Sequence, residues 1–297
     1  MYHPCISGFV LTIDLIFTMK IISFHAVNFE LRHQYYTSKR GETLDNQNYP
    51  IRYPHNLCVK NFLYFLAAPT LCYQPAYPRN PRFRRAFFFK RLFELASAIV
   101  MAYFAVEQFA TPTVKNSIQH LDEFNFLGLL ERILKLSPSS LYIWLLGFYA
   151  IFHSFFNAVA ECLRFGDRQF YHDWWNATSL DEYWRLWNAP VHQWLKRHCY
   201  IPMRVKGYSP IQAQLVIFGL SAFFHEYLVS IPTHTIQGWA FMAMLLQVPL
   251  IAVTRQYLKW FPGSSFGNYF FWVTLCVFGQ PMCIILYYRA WIKTQSL

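Results

Sequence analysis

Long apolar runs alternate with short polar connections along this 297-residue chain, and several are long enough to cross a lipid bilayer as helices. The first covers about residues 7–26. The stretch that follows, LRHQYYTSKRGETLDNQNYPIRYP, contains no long apolar run and is expected to be a loop. NFLYFLAAPTLCY, residues 61–73, is too short to cross comfortably and reads as re-entrant or interfacial. After PRFRRAFFFKR at 81–91 an apolar run continues to about 110, where TPTV is expected to break it. Another begins after SPSS at 137–140 and carries YIWLLGFYAIFHSFFNAVAECL to Cys162. Three further spans, roughly 210–232, 237–256 and 267–290, are separated by very short connections, and no internal repeat is visible. The pattern predicts an all-α, polytopic membrane protein forming one domain over 1–297.

Composition agrees, with 55% hydrophobic, 20% aromatic and only 14% charged residues, where a soluble domain carries about a quarter charged. The net charge of +11 is not a nucleic-acid signal here, because the basic residues cluster beside apolar runs. Arg79, Arg82, Arg84, Arg85, Lys90 and Arg91 form one cluster, residues 163–208 hold another, and the turn THTIQG holds no Lys or Arg. Both clusters are therefore expected on the cytosolic side, separated by two crossings, and the C-terminus opposite, against which Arg289 and Lys293 argue mildly. Residues 164–208 are not apolar enough to span. Their tryptophans, interleaved with basic residues, predict a cytosolic interfacial segment in the headgroup layer. The first residues lack a basic n-region and a small-residue cleavage site, so no signal peptide is read. Seven cysteines show neither CxxC pairing nor metal-ligand spacing with histidine, so neither a disulfide framework nor a metal site is expected.

Polar groups inside the apolar runs are the stronger chemical signal, because an ionisable side chain at membrane depth is costly unless it is paired or serves a cavity. His225 and Glu226, in LSAFFHEYLVSIP, lie some 15 residues into a span, about 20 Å along a helix from its expected cytosolic end. An imidazole can take a proton from a hydroxyl near neutral pH. Glu226 points about a quarter-turn away and is expected to support a neighbouring helix or the polarity of the cavity. His153, Asn157 and Glu161 repeat at i, i+4 and i+8, Asn188 and His192 repeat likewise, and Gln247 and Gln280 sit inside the last two spans. Together they predict a polar cavity. A buried histidine that only ties two helices together, and a transporter that passes a solute along the same polar groups, are the alternatives.

FYHDWWN, at Phe170, Tyr171, Asp173, Trp174, Trp175 and Asn176 with His172 between, resembles the FYxDWWN signature of the acyl-CoA:sterol and diacylglycerol acyltransferases of the membrane-bound O-acyltransferase (MBOAT) superfamily. SAFFHEY resembles the segment bearing that superfamily's catalytic histidine. LRFGDRQFYHDWWN, WNAPVHQWLKRHCYIPM, APTLCYQPAYPRNPRFRR and FFHEYLVSIP look more like the type 1 diacylglycerol acyltransferases than the sterol branch, from about Met19 to the end. Members have a longer N-terminal region with a cytosolic tail and further spans, so the chain is expected to lack that part.

The resemblance implies an MBOAT helical core around an intramembrane reaction chamber, endoplasmic reticulum residence, and a homodimer or homotetramer. It implies transfer of a fatty acyl group from acyl-CoA, a co-substrate rather than a cofactor, to 1,2-diacylglycerol. Sterol or long-chain alcohol acceptors, or an inactive shortened relative, are the alternatives. His225 is then the general base, with Glu226 beside it, and Asn188 polarises the thioester carbonyl. Ser221, one turn before His225, Gln247 and Gln280 are candidates for the oxyanion or the acceptor. Acyl-CoA contacts fall by resemblance on Cys72, Tyr73, Arg79, Trp184, Trp187, Asn188, Pro190, Val191, His192 and Tyr200. Asp173 and the Trp174–Trp175 pair are expected to hold the interfacial segment in place rather than to react.

Overall fold

A computed structural model describes residues 4–40 and 50–295, and among these the secondary structure is helical apart from one isolated backbone bridge, Arg79 with Phe165. The first span is the longer helix α1, Pro4–Lys39, which takes in the start of the stretch expected to be a loop; residues 41–49 of that stretch lie outside the described residues, and the short apolar stretch beyond it contributes to α2, Val59–Ala67. The next crossing is α3, Arg85–Ala105, a π-helical turn, Val106–Ala110, and α4, Thr111–Asp122. It returns as α5, Phe126–Phe148, a second π-helical stretch, Tyr149–Phe155, and α6, Phe156–Cys162. Three short helices, α7 (Leu180–Leu186), α8 (Ala189–Leu195) and α9 (Ile201–Val205), lie within the stretch 164–208 that is expected to be interfacial. Then come α10 (Pro210–Thr233), α11 (Trp239–Leu245) running into α12 (Gln247–Trp260), and α13 (Phe266–Phe271), which passes through a π-helical stretch, Trp272–Gly279, into α14 (Gln280–Gln295). Six of the described helical runs are long and apolar enough to cross a membrane, and the protein is a multi-pass membrane protein.

Two expected breaks are absent. TPTV does not end the second crossing: Pro112 sits at the start of α4, where a missing N–H costs little, and the π-helical turn just before it opens the ladder. SPSS does not start the third, because Pro138 lies inside α5. The carbonyl that Pro138 leaves without its usual donor, that of Leu134, accepts the Ser137 hydroxyl at 3.1 Å, and Ser139 bonds Leu136 in the same way at 2.9 Å. The two resulting runs, Arg85–Asp122 of 38 residues and Phe126–Cys162 of 37, each measure about 55 Å, roughly twice the hydrocarbon thickness. The α4–α5 hairpin therefore projects beyond the bilayer.

An arginine–aspartate pair ties helices together at each end of the bundle. At one end Arg255 of α12 meets Asp181 of α7 at 2.9 Å, and Asn268 of α13 donates to the carbonyls of Trp175 and Ala177 at 2.8 and 3.0 Å. At the other end Arg289 of α14 meets Asp122 of α4 at 2.6 Å, with Lys293 at 3.8 Å. The two C-terminal basic residues thus have a carboxylate partner at the end away from the basic clusters, and their charge carries little weight against that placement. The start of α10 is a capping box: Ser209 and Gln212 exchange side-chain-to-backbone bonds of 3.2 and 2.9 Å.

Candidate active site

His225 stands on the α10 stripe Phe218, Ala222, His225, Val229, Pro232, spaced i, i+4, i+7, i+11, i+14. This is an inward face, since Ala222 and Pro232 are buried and Phe218 meets the Trp184 ring edge-on, 6.4 Å between centroids. His225 itself remains accessible on this stripe. Its Nδ1 lies 2.7 Å from the Ser221 carbonyl oxygen, which can only accept, so Nδ1 carries the proton and Nε2 keeps its lone pair. That is the tautomer a general base needs. The Ser221 hydroxyl is 3.5 Å from the same Nδ1, on the same face one turn earlier.

Glu226 is spoken for. It accepts from the backbone N–H groups of Gly238, Ala240 and Phe241 at 2.8, 3.1 and 3.2 Å, from Tyr287 Oη at 2.6 Å, and from the Ser230 hydroxyl. It joins α10 to the start of α11 and to α14, and its recorded partners do not include His225. Glu226, expected beside the candidate base, instead holds the helix that carries His225.

The face His153, Asn157, Glu161 is likewise tied to protein groups rather than lining a cavity. Arg91 of α3 donates to His153 Nε2, which forces the ring proton onto Nδ1 and makes it donate to Tyr171 Oη at 2.7 Å. The Asn157 amide donates to the His153 carbonyl at 2.8 Å. Glu161, 1% exposed, accepts from the Arg84 backbone N–H at 2.6 Å and meets the Arg84 and Arg168 guanidinium groups at 2.8 and 2.7 Å. A neutral imidazole and a doubly paired carboxylate thereby attach the basic loop and the FYHDWWN segment to the two crossings.

FYHDWWN forms a turn whose residues divide by side. Phe170 is buried against Phe156, and Trp174 is enclosed by Trp144, Phe148, Tyr183 and Trp272. Gly267 at the start of α13 has no room for a Cβ beside the Thr178 carbonyl, and this close approach seats the turn on α13. Trp175, Asn176 and Asp173 are exposed, so of the residues expected to fix the segment only Trp174 is enclosed. Asp173 instead lines a pocket of about 540 Å³ with His172, Arg185, His192, Gln193 and Lys196. Burial first, then Lys196 and Arg185, lower the His192 pKa and favour the neutral ring. His172, Arg185, Gln193 and Lys196 were missed as site residues. For Arg185, Gln193 and Lys196 the signal was the i, i+3/i+4 spacing of polar groups along 185–196; His172 carried none beyond its place in FYHDWWN.

The set expected to contact acyl-CoA is split. Trp184, Trp187, Asn188, Pro190, Val191, His192 and Tyr200 remain partly accessible around the interfacial helices. Asn188 caps α8, accepting from the Val191 N–H at 3.2 Å, so its oxygen is engaged. The indole N–H of Trp184 is buried with no partner. Arg79 lies over the Tyr64 ring at 4.3 Å. Cys72 and Tyr73 are corrections: both are buried, the Tyr73 hydroxyl is engaged by Asn61 and Asn56 at 2.8 and 3.0 Å, and burial pushes the Cys72 thiol up to about 11. They hold the loop rather than face a ligand. Gln247, whose amide donates to the Ala243 carbonyl at 3.3 Å, and Gln280 begin α12 and α14 and are half-buried. Among the described residues no three His, Cys, Asp or Glu side chains gather as a metal site.

The chain is 44% identical over 272 residues to diacylglycerol O-acyltransferase 1A of Glycine max, covering 91% of this chain and 54% of that protein. It is 43% identical over 291 residues to diacylglycerol O-acyltransferase 1B of the same plant, covering 96% and 57%. It is also 41% identical over 290 residues to diacylglycerol O-acyltransferase 1 of Dictyostelium discoideum, covering 98% and 46%. The chain thus spans about half the length of the curated relatives it matches. The profile of the membrane-bound O-acyltransferase family matches residues 6–288, from the first crossing through the histidine helix into the last. With that match running through nearly all of the described helices, the chain belongs to the membrane-bound O-acyltransferase family.

Proposed function

We propose that this protein transfers the acyl group of acyl-CoA to the free hydroxyl of 1,2-diacylglycerol, giving triacylglycerol and CoA. The observation that carries the proposal is His225: its Nδ1 proton is held by the Ser221 carbonyl and its Nε2 is left open on the inward face of a membrane helix. The names of the relatives support the choice of donor and acceptor.

In this reading Nε2 takes the hydroxyl proton as the alkoxide oxygen attacks the thioester carbonyl. The tetrahedral oxyanion collapses, the C–S bond breaks, and the imidazolium returns the proton to the CoA thiolate. No acyl-enzyme forms. Asn188, Gln280 and Ser221 are the candidate donors to the oxyanion, and Gln247 a contact for the glycerolipid. The cationic pocket of Arg185 and Lys196 suits the phosphates of CoA, and acyl-CoA serves as co-substrate with no further cofactor. Endoplasmic reticulum residence and a two- or four-chain assembly belong to the same proposal.

The test is incubation of purified protein with labelled oleoyl-CoA and either diacylglycerol, cholesterol or a long-chain alcohol. Labelled triacylglycerol that disappears in His225→Ala is the expected result. Ester with cholesterol or the alcohol alone would move the protein to another acceptor, and no ester with any acceptor overturns the enzyme reading.

A further inference from the structure

Two segments that the family resemblance assigns to acyl-CoA, the loop leading to Arg79 and the stretch through His192, meet on one stretch of α1. Lys20 is a cation inside the first apolar run, and it is only 4% exposed. Its Nζ lies 2.9, 3.0 and 2.6 Å from the carbonyl oxygens of Phe65, Leu66 and Ala68. These belong to the end of α2, where a helix leaves carbonyls without donors and where its dipole favours a positive charge. An ammonium has three N–H donors, and all three are used. Ser23, one turn later and fully buried, accepts the Tyr73 backbone N–H at 2.8 Å and meets His198 Nε2 at 2.8 Å. The Met19 carbonyl accepts the Trp194 indole N–H at 2.8 Å. Met19, Leu71, Cys72 and Trp194 pack as one cluster between these bonds.

We propose that Lys20 and Ser23 are positioning residues for acyl-CoA: they register the loop leading to Arg79 against the helix carrying His192 and Lys196. The inference rests on the acyl-transfer reading above. A helix that merely packed here would do so with apolar side chains, because a buried ammonium is expensive unless its partners must be held in one place. The three carbonyls come from one short helix end and the Ser23 bridge from two segments 125 residues apart in sequence, which α1 holds together.

The test compares Lys20→Met and Ser23→Ala with the unaltered protein in two measurements. In the first, Lys20→Met raises the KM for oleoyl-CoA about tenfold and Ser23→Ala about threefold, while kcat and the KM for diacylglycerol change less than about twofold. The second is peptide-resolved alkylation by N-ethylmaleimide without substrate. Cys72, buried in the cluster, labels faster in both variants, while Cys276, buried elsewhere, does not. An unchanged KM for oleoyl-CoA in both variants, or an equal rise for both substrates, overturns the positioning role. Should Lys20→Met fail to fold, Ser23→Ala alone decides. If the unaltered protein forms no ester, the acyl-transfer reading has failed, and an unchanged Cys72 rate then overturns the α1 register as well.

Discussion

Around His225 the protein leaves a ring nitrogen open, whereas on the FYHDWWN turn it closes the space around the Trp174 ring and engages the Tyr171 hydroxyl. His225 has one tether and a free ring nitrogen on an inward face. Trp174 is 2% exposed and packed by four rings, and Tyr171 is held by His153, itself held by Arg91. A group that must exchange a proton needs an unpaired site, while a segment that must hold its place needs few alternatives. The most recognisable stretch of sequence is therefore mostly support, and the plainest histidine on α10 is the candidate for chemistry.

His225→Ala breaks the open region with the largest expected effect on rate: transfer falls on the order of 10²–10⁴-fold, the usual contribution of a general base, while the thermal midpoint moves little because one hydrogen bond is lost. A rate assay beside a melting curve reads both, and a collapse of the fold would blur the contrast. Trp174→Ala breaks the closed region instead. It removes the ring at the centre of its cluster and is expected to cost about 3–5 kcal/mol of stability, with activity lost only as the protein unfolds. Denaturant or thermal unfolding in detergent measures it, and activity lost at full stability would assign Trp174 to the reaction.

Glu226→Gln sharpens the contrast between neighbours on one helix. The amide cannot accept at its nitrogen, so the bonds from the start of α11 weaken at about 1.5–3 kcal/mol for a charged acceptor. The expected result is a lower melting temperature and a partial loss of rate, smaller than that of His225→Ala. The smallest effect belongs to His198, beside Ser23. Burial first, then Arg197, pull its pKa from the ordinary 6.5 to about 4. Above 6.5 the ring is neutral folded or unfolded; between 6.5 and about 4 the unfolded chain takes up a proton that the folded chain refuses, so stability falls as pH falls through that window. Melting curves from pH 7 to pH 5 should drop more steeply for the unaltered protein than for His198→Gln.

Much of the architecture was legible because membrane helices announce themselves by length and composition. The crossings that begin at Pro210 and Trp239 lie within a few residues of where the apolar pattern ends. TPTV and SPSS misled, because the cost of a proline depends on what its neighbours do with the freed carbonyl. At Pro138 the Ser137 hydroxyl takes the Leu134 carbonyl, a compensation visible only once the helix is built. The candidate site was legible in kind but not in role. Cys72 and Tyr73 lie on the same loop as Arg79, yet they turn inward and are engaged by Trp194, Asn56 and Asn61. Lys20 was the loudest unread signal, a single lysine in an apolar run.

From sequence alone came the membrane class, the alternation of basic and non-basic ends, the family motifs and His225 as a polar group at membrane depth. These depend on local composition and spacing, which every residue carries with it. Only the tertiary structure decided which polar groups were already satisfied. A hydrogen bond needs a partner at about 3 Å, and in a bundle that partner comes from another crossing. Thus Glu226 is engaged through Tyr287 and Gly238, Glu161 through Arg84 and Arg168, and Lys20 through the end of α2, while His225 alone among these keeps an open lone pair.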